Sequence, residues 1–190
     1  MYFKTFFFES FMQAILSKNP SLNLKQVLLV GLFAMLTAVG AQIEIPLWPV
    51  PITMQTTMVL LSGALLGARL GMLSQLVYLS SGLFLPVFAG GSFGIATLLG
   101  PTGGFLLAFP LVAFLAGASV SANGSFVKNF SGIVVSSFVM FAVGVSWLKM
   151  LFGLSWAEAA LQGFVPFIIG DLIKSGIVAS SVSLKGKLTK

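Results

Sequence analysis

Residues 162–184 read Gln-Gly-Phe-Val-Pro-Phe-Ile-Ile-Gly-Asp-Leu-Ile-Lys-Ser-Gly-Ile-Val-Ala-Ser-Ser-Val-Ser-Leu, an apolar run that carries one acid, Asp171, and one base, Lys174. A helix needs about 20 mostly apolar residues to cross a bilayer, and this run has that length. A charge at the centre of such a helix costs about 2.5–3.5 kcal/mol on insertion scales. Asp171 and Lys174 stand three positions apart and therefore share a helix face. That face has to meet protein or a polar cavity rather than lipid. Three readings of the pair are open. The two side chains can bond to each other and lock a helix contact. They can form part of an ion or proton relay, which wants partners on other segments, where Tyr78 is the one further ionisable side chain. Or they can hold a ligand, the carboxylate accepting hydrogen bonds from N–H groups and the ammonium donating to an oxygen.

The rest of the chain belongs to the same solvent. Its 190 residues have a mean hydropathy of +1.07, with 57% hydrophobic and 7% charged residues. A soluble domain carries about a quarter charged residues, and a disordered tail has the opposite bias. The expected fold is an all-α integral membrane bundle of six transmembrane helices. Charges and Gly/Pro breaks place the spans at about 26–43, 52–67, 70–85, 104–120, 131–148 and 162–184. Pro46, Pro49 and Pro51 mark a turn after the first span. Residues 1–24 read as an interfacial or flexible extension, 25–184 as the transmembrane domain and 185–190 as a basic tail.

Six crossings put both termini on one side. That side holds Lys4, Lys18, Lys25, Arg69, Lys128, Lys185, Lys187 and Lys190, and the other holds Lys149 alone. Lys and Arg excess marks the cytoplasmic face, so a multi-pass plasma-membrane protein with both termini inside is expected. The same rule accounts for the net charge of +6 without a nucleic-acid partner. The chain has no Cys and no His, and its acids are Glu9, Glu44, Glu158 and Asp171. Thiolate and imidazole metal sites, disulfides and the commonest general base are thereby excluded. No enzyme activity, metal or cofactor is expected. No G-x-x-x-x-G-K-[ST] phosphate loop occurs either.

The connection from Pro86 to Gly104 is apolar enough for a membrane but too rich in Gly and Pro for a stable helix. Irregular backbone at membrane depth persists when it is buried in protein or lines a cavity. It is expected to re-enter between helices 3 and 4 and cover a ligand. The plainer alternative is a greasy outer loop.

Four stretches carry a family resemblance. They are Ala34-Met-Leu-Thr-Ala38, Pro51-Ile-Thr-Met-Gln-Thr56, Leu85-Pro-Val-Phe-Ala-Gly90 followed by Gly100-Pro-Thr-Gly-Gly-Phe105, and Pro166-Phe-Ile-Ile-Gly-Asp-Leu-Ile-Lys174. In this order the chain, from about 25 to 184, resembles the BioY family, the biotin-specific substrate-capture (S) components of energy-coupling-factor (ECF) transporters. The resemblance implies a membrane-embedded biotin-binding subunit that captures the vitamin at the outer face. A transmembrane coupling subunit and two ATPase subunits would supply the energy. Asp171 would accept from the ureido N–H groups of biotin and Lys174 would bind an oxygen. Tyr78 would stack on the ring or donate its hydroxyl, Thr53 and Gln55 would close the polar end, and Phe88, Gly90 and Gly91 would form the lid. Gly31, Ala34, Ala38 and Ala41 would be the small-residue face that docks on the coupling subunit, unless they pack inside the bundle. An S component for another vitamin, or a solitary ion- or proton-coupled carrier, remains the alternative.

Overall fold

A computed structural model describes residues 22–188. The expected interfacial helix within 1–19 and Lys190 lie outside the described part. The observed order is α1 (Leu24–Gln42), β1 (Glu44–Ile45), β2 (Ile52–Thr53), α2 (Gln55–Leu66), α3 (Ala68–Gly82), a 3-10 turn (Ala89–Gly91), α4 (Ile95–Leu99), α5 (Gly103–Ser119), α6 (Phe126–Phe152), α7 (Trp156–Gly163), a second 3-10 turn (Val165–Phe167) and α8 (Ile168–Leu188). The molecule is mostly helical. α1, α6 and the α7–α8 stretch are each long and apolar enough to cross a membrane.

The spans expected second and third are shorter than drawn. α2 has 12 residues and α3 has 15, about 18 and 22 Å at 1.5 Å per residue. What shortens them lies at one end of the bundle. Ile52 and Thr53, expected inside the second span, instead form β2, which pairs antiparallel with β1 (Glu44 opposite Thr53). The proline cluster is the loop of this small hairpin, so the chain is not purely α. The Pro86–Gly104 connection departs in the other direction: it holds the helical turn α4, although the rest is irregular as its glycines require.

The last expected span is broken. α7 starts with a capping box in which the Ser155 hydroxyl accepts from Glu158 N and the Glu158 carboxylate accepts from Ser155 N. The Ser-Trp-Ala-Glu spacing carried that signal. Pro166 then interrupts the ladder, and α8 restarts at Ile168.

α5 is the central post. It packs on α2, α3 and α6 and buries Phe105, Phe109, Val112, Ala113 and Ala116. Lipid provides no hydrophobic drive between helices, so close backbone approach must hold the bundle. A Cβ on Gly63 of α2 would stand 2.0 Å from Ala113 O, and one on Gly71 of α3 would stand 2.6 Å from Gly63 Cα. Polar groups add to this between α1, α2 and α3. Gln75, fully buried, donates to Ser62 Oγ at 3.1 Å and to Thr37 Oγ1 at 3.3 Å. At the opposite end from the hairpin, Asn129 closes the α5–α6 connection with bonds to both Ser121 N and Ser121 O at 3.0 Å.

Candidate ligand-binding site

The end of the bundle that carries the hairpin encloses a cavity of about 500 Å³, a size that suits a small organic ligand. Its floor and one wall come from α8. The break at Pro166 sets Asp171 in the first turn of that helix, where the N-terminal dipole favours a carboxylate. Thr53, Gln55 and Thr56 face it from the start of α2, and Phe88, Ala89 and Gly90 from the connection. Phe105 and Phe109 of α5 and Met140 and Phe141 of α6 supply the apolar surface. Three lining residues are charged: Glu44, Asp171 and Lys174.

The pair on α8 is not an ion pair in this structure. Lys174 Nζ donates to the main-chain oxygen of Thr53 at 2.6 Å and to Thr56 Oγ1 at 3.0 Å. The base thereby ties α8 to the start of α2, a third option beside pairing with Asp171 or waiting for a ligand. Asp171 is buried, at 8% exposure, and its Oδ1 has no hydrogen-bond partner. Ser137 of α6 lies beside it, yet the two are not in bonding geometry, and Ser137 Oγ is also buried without a partner. A buried acceptor left unmade costs about 1–3 kcal/mol, more when charged. Asp171 is thus held in place by the fold and left unsatisfied on a cavity wall.

Thr53 and Gln55 line the cavity as expected, but they are largely bonded to protein. Thr53 Oγ1 donates to Gln55 Oε1 at 3.1 Å, Gln55 Nε2 donates to Tyr78 OH, and Tyr78 OH donates to Val87 O at 3.2 Å. This chain of bonds braces the wall. Tyr78 itself does not reach the cavity. It is 1% exposed and stands behind Phe88, ring centroids 5.5 Å apart and nearly perpendicular. Its hydroxyl and ring, expected to donate to or stack on a ligand, are here bonded to Val87 O and packed on Phe88. Gly91 likewise falls off the cavity wall, while Gly90 stays on it.

Phe88 lines the cavity and is anchored to α3 and α1. Its ring lies where a Cβ on Gly82 would be, 2.0 Å from the nearest ring atom, and its carbonyl accepts from Gln42 Nε2 at 3.0 Å. The far end of the connection is tied to α6, where Trp147 Nε1 donates to Gly100 O at 2.8 Å. Of the small-residue face on α1, the structure buries Ala34 (7%) and Ala41 (0%) inside the bundle. Those two serve packing within the chain. Gly31 alone opens onto free space, and Ala38 is half-buried. Sequence reasoning missed Glu44, which read simply as the acid closing the first span, and the aromatic wall of α5 and α6, whose residues resemble any apolar helix. Among the described residues no cluster of metal-ligating side chains occurs.

A model of the BioY family matches residues 13–188 of the chain. The chain belongs to that family. The match starts inside the stretch expected to lie outside the resemblance. The chain spans most of the length of BioY relatives. A protein of Pyrococcus horikoshii named "Probable biotin transporter BioY" is 42% identical over 152 residues, 80% of this chain and 90% of the relative. The "Biotin transporter BioY" of Thermotoga maritima is 39% identical over 165 residues, 86% and 96% of the two chains. The fold agrees with the crystal structure of an S-component for biotin from an ECF-type ABC transporter, with a TM-score of 0.77 and 25% identity over 89% of this chain and 95% of that one. As a BioY-family member with apolar helices of crossing length, this chain is a membrane protein.

Proposed function

We propose that this chain is the biotin-capturing subunit of an ECF-type vitamin transporter. The observation that carries the proposal is Asp171: a buried carboxylate with an unpartnered oxygen on the wall of a cavity otherwise lined by aromatic and aliphatic groups. Biotin presents two ureido N–H donors on an apolar bicycle, which is the complement of that wall. The ureido group bonds to Asp171, and its carbonyl takes one N–H of Lys174. The thiophane ring packs on Phe105, Phe109 and Phe141.

The arrangement in the membrane follows the same reading. Six helical segments alternate: α1, α2, α3, α5, α6 and the α7–α8 stretch. Lys25, Arg69 and Lys128 stand at the end away from the cavity and Lys149 at the cavity end, a bias that supports a cavity facing outside and both termini in the cytoplasm. The 86–104 connection re-enters to roof the cavity. The short α2 and α3 then stop where the hairpin and this roof fill the outer half of the bundle. Transport is energised by a transmembrane coupling subunit and two ATPase subunits, docked on the side of α1 that holds Gly31 and Ala38.

Isothermal titration of the purified chain in detergent with biotin, riboflavin and thiamine tests the ligand. Biotin is the one expected to bind. Binding of another vitamin instead would overturn the assignment. Proteoliposomes holding this chain alone and driven by a proton gradient test the division of labour, and rapid uptake there would favour the solitary carrier.

A further inference from the structure

Among the described residues, five serines are buried in helices: Ser62, Ser74, Ser136, Ser137 and Ser175. A serine in an apolar helix commonly spends its hydroxyl on a carbonyl one turn back. Ser62 Oγ donates to Val59 O at 2.7 Å, Ser74 Oγ to Gly71 O at 2.7 Å and Ser136 Oγ to Gly132 O at 2.8 Å. Ser137 and Ser175 do not follow them, and both hydroxyls are buried without a partner. Both exceptions stand at Asp171. Ser137 lies beside its carboxylate, and Ser175 follows it by one turn on the same face of α8.

The Asp171 carboxylate is divided between two surroundings. Oδ1 is sealed in protein and unpartnered, while the residue as a whole lines the cavity. A ligand on that wall therefore meets the other oxygen, and Oδ1 has to find a hydrogen within the protein. Lys174, on the same face of α8, gives its Nζ to Thr53 O and Thr56 Oγ1. Ser137 is the neighbour whose hydrogen is unspent, and a hydroxyl rotates to suit its acceptor.

We propose that Ser137 is a positioning residue for the ligand-binding carboxylate: in the loaded site its hydroxyl donates to Asp171 Oδ1 and fixes the other oxygen toward the N–H groups of the ligand. The ligand itself closes this bond. It lies against Asp171 and Lys174 on α8 and against Met140 and Phe141 on α6. Met140 and Phe141 come three and four residues after Ser137 and share its face of α6. A molecule gripped by both helices draws them together one turn from Ser137, and the hydroxyl reaches the oxygen that it misses in the empty site. This rests on the biotin reading above and deepens it, naming what orients the group that receives the ureido ring.

The test is titration calorimetry of the full chain in detergent with biotin, paired with thermal melts of the same samples. Ser137→Ala is expected to weaken biotin by about tenfold, a free-energy difference of about 1.4 kcal/mol. The ligand-free Tm should hold or rise, because the hydroxyl removed was buried and unbonded. Ser136→Ala removes the adjacent buried hydroxyl, which is bonded within its own helix, and should leave affinity within about twofold. With Asp171→Ala there is no carboxylate to orient, so adding Ser137→Ala to it should change affinity by less than about twofold. Equal affinity in the unaltered chain and Ser137→Ala, an equal loss in Ser136→Ala, or a loss that persists on the Asp171→Ala background overturns this inference and leaves the biotin reading standing. A ligand-free Tm that falls together with the affinity of Ser137→Ala assigns the serine to the scaffold and overturns it as well. A folded, unaltered chain that does not bind biotin overturns the biotin reading and this inference with it.

Discussion

Asp171→Asn should separate stability from function. In the ligand-free protein the carboxylate is 8% exposed, and one of its oxygens makes no bond to protein. A buried carboxylate with an oxygen left unbonded is a cost to the fold rather than a support. The isosteric amide keeps the volume, removes the charge and leaves the Lys174 bonds to Thr53 and Thr56 untouched, so the ligand-free Tm should hold or rise. Binding should move the other way. A ureido N–H bonded to a carboxylate contributes about 1.5–3 kcal/mol, and the amide turns one acceptor into a donor that faces a donor. At about 1.4 kcal/mol per decade, the loss of one such bond weakens biotin by roughly 10–150-fold. Titration calorimetry in detergent reads the affinity, and a thermal melt of the same sample reads the fold. Affinity within threefold of the unaltered chain would refute the assignment. A ligand-free Tm that drops by several degrees would show instead that Asp171 is part of the scaffold.

Lys174→Met should lower both quantities, because Nζ holds the start of α2 through Thr53 O and Thr56 Oγ1; a melt should show a clear loss of Tm together with biotin binding weakened by about tenfold or more. Tyr78→Phe should weaken biotin by only about two- to fivefold, the effect of a less firmly held Gln55, because the ring does not touch the cavity; a loss of about a hundredfold in calorimetry would restore direct contact. Gly63→Val should abolish the folded bundle in size-exclusion chromatography, since even a Cβ there would stand 2.0 Å from Ala113 O. Gly31→Trp should leave biotin binding unchanged and reduce co-purification with a coupling subunit, because Gly31 opens onto free space on α1. Ala34→Trp would not be a clean test of the same face, as Ala34 is packed inside.

The parts of the site legible in the sequence are those that violate the local solvent. Asp171 and Lys174 stood out because an acid and a base in an apolar run cost energy unless something receives them, and the structure puts both on the cavity. The glycines of the 86–104 connection were legible for the same kind of reason, as breakers where a membrane helix would otherwise continue. What stayed hidden depends on main-chain acceptors and register. Lys174 is received by the carbonyl of Thr53, and a carbonyl is present at every residue, so no side-chain pattern announces it. Glu44 reaches the cavity only because the proline-rich turn closes a hairpin that pairs it with Thr53. Tyr78 carried the right chemistry for a ligand contact, but Phe88 occupies the space in front of it. The break in the last span was written in Pro166, and the earlier start of α7 in the Ser155–Glu158 capping box; both are local signals that hydropathy averaging over the run conceals.

The roof of the cavity is anchored at both ends by side chains and packs more lightly between them. Phe88 is locked over Gly82 and Gly100 is held by Trp147, while between them Phe93, Ile95 and Leu99 are exposed and contribute little packing. Access to the cavity therefore has to come from the stretch between these anchors, and Gly94 is where its path is set. Gly94 has φ +85 and ψ 175, a region essentially closed to other residues, and its N–H donates to Gly82 O at 2.7 Å. A Cβ at Gly94 meets nothing within 4 Å, so Gly94→Ala introduces backbone strain without a clash, about 1–3 kcal/mol. The strain falls on the closed roof and on little else. Biotin should then leave roughly 5–150-fold faster in a stopped-flow chase, with the association rate and the ligand-free Tm near those of the unaltered chain. Gly31→Ala, placed on open surface far from the roof, is the control for the mere addition of a methyl group. An unchanged dissociation rate in a well-folded Gly94→Ala protein would mean that the stretch between the anchors does not retain the ligand, and that escape is governed by the hairpin side of the cavity.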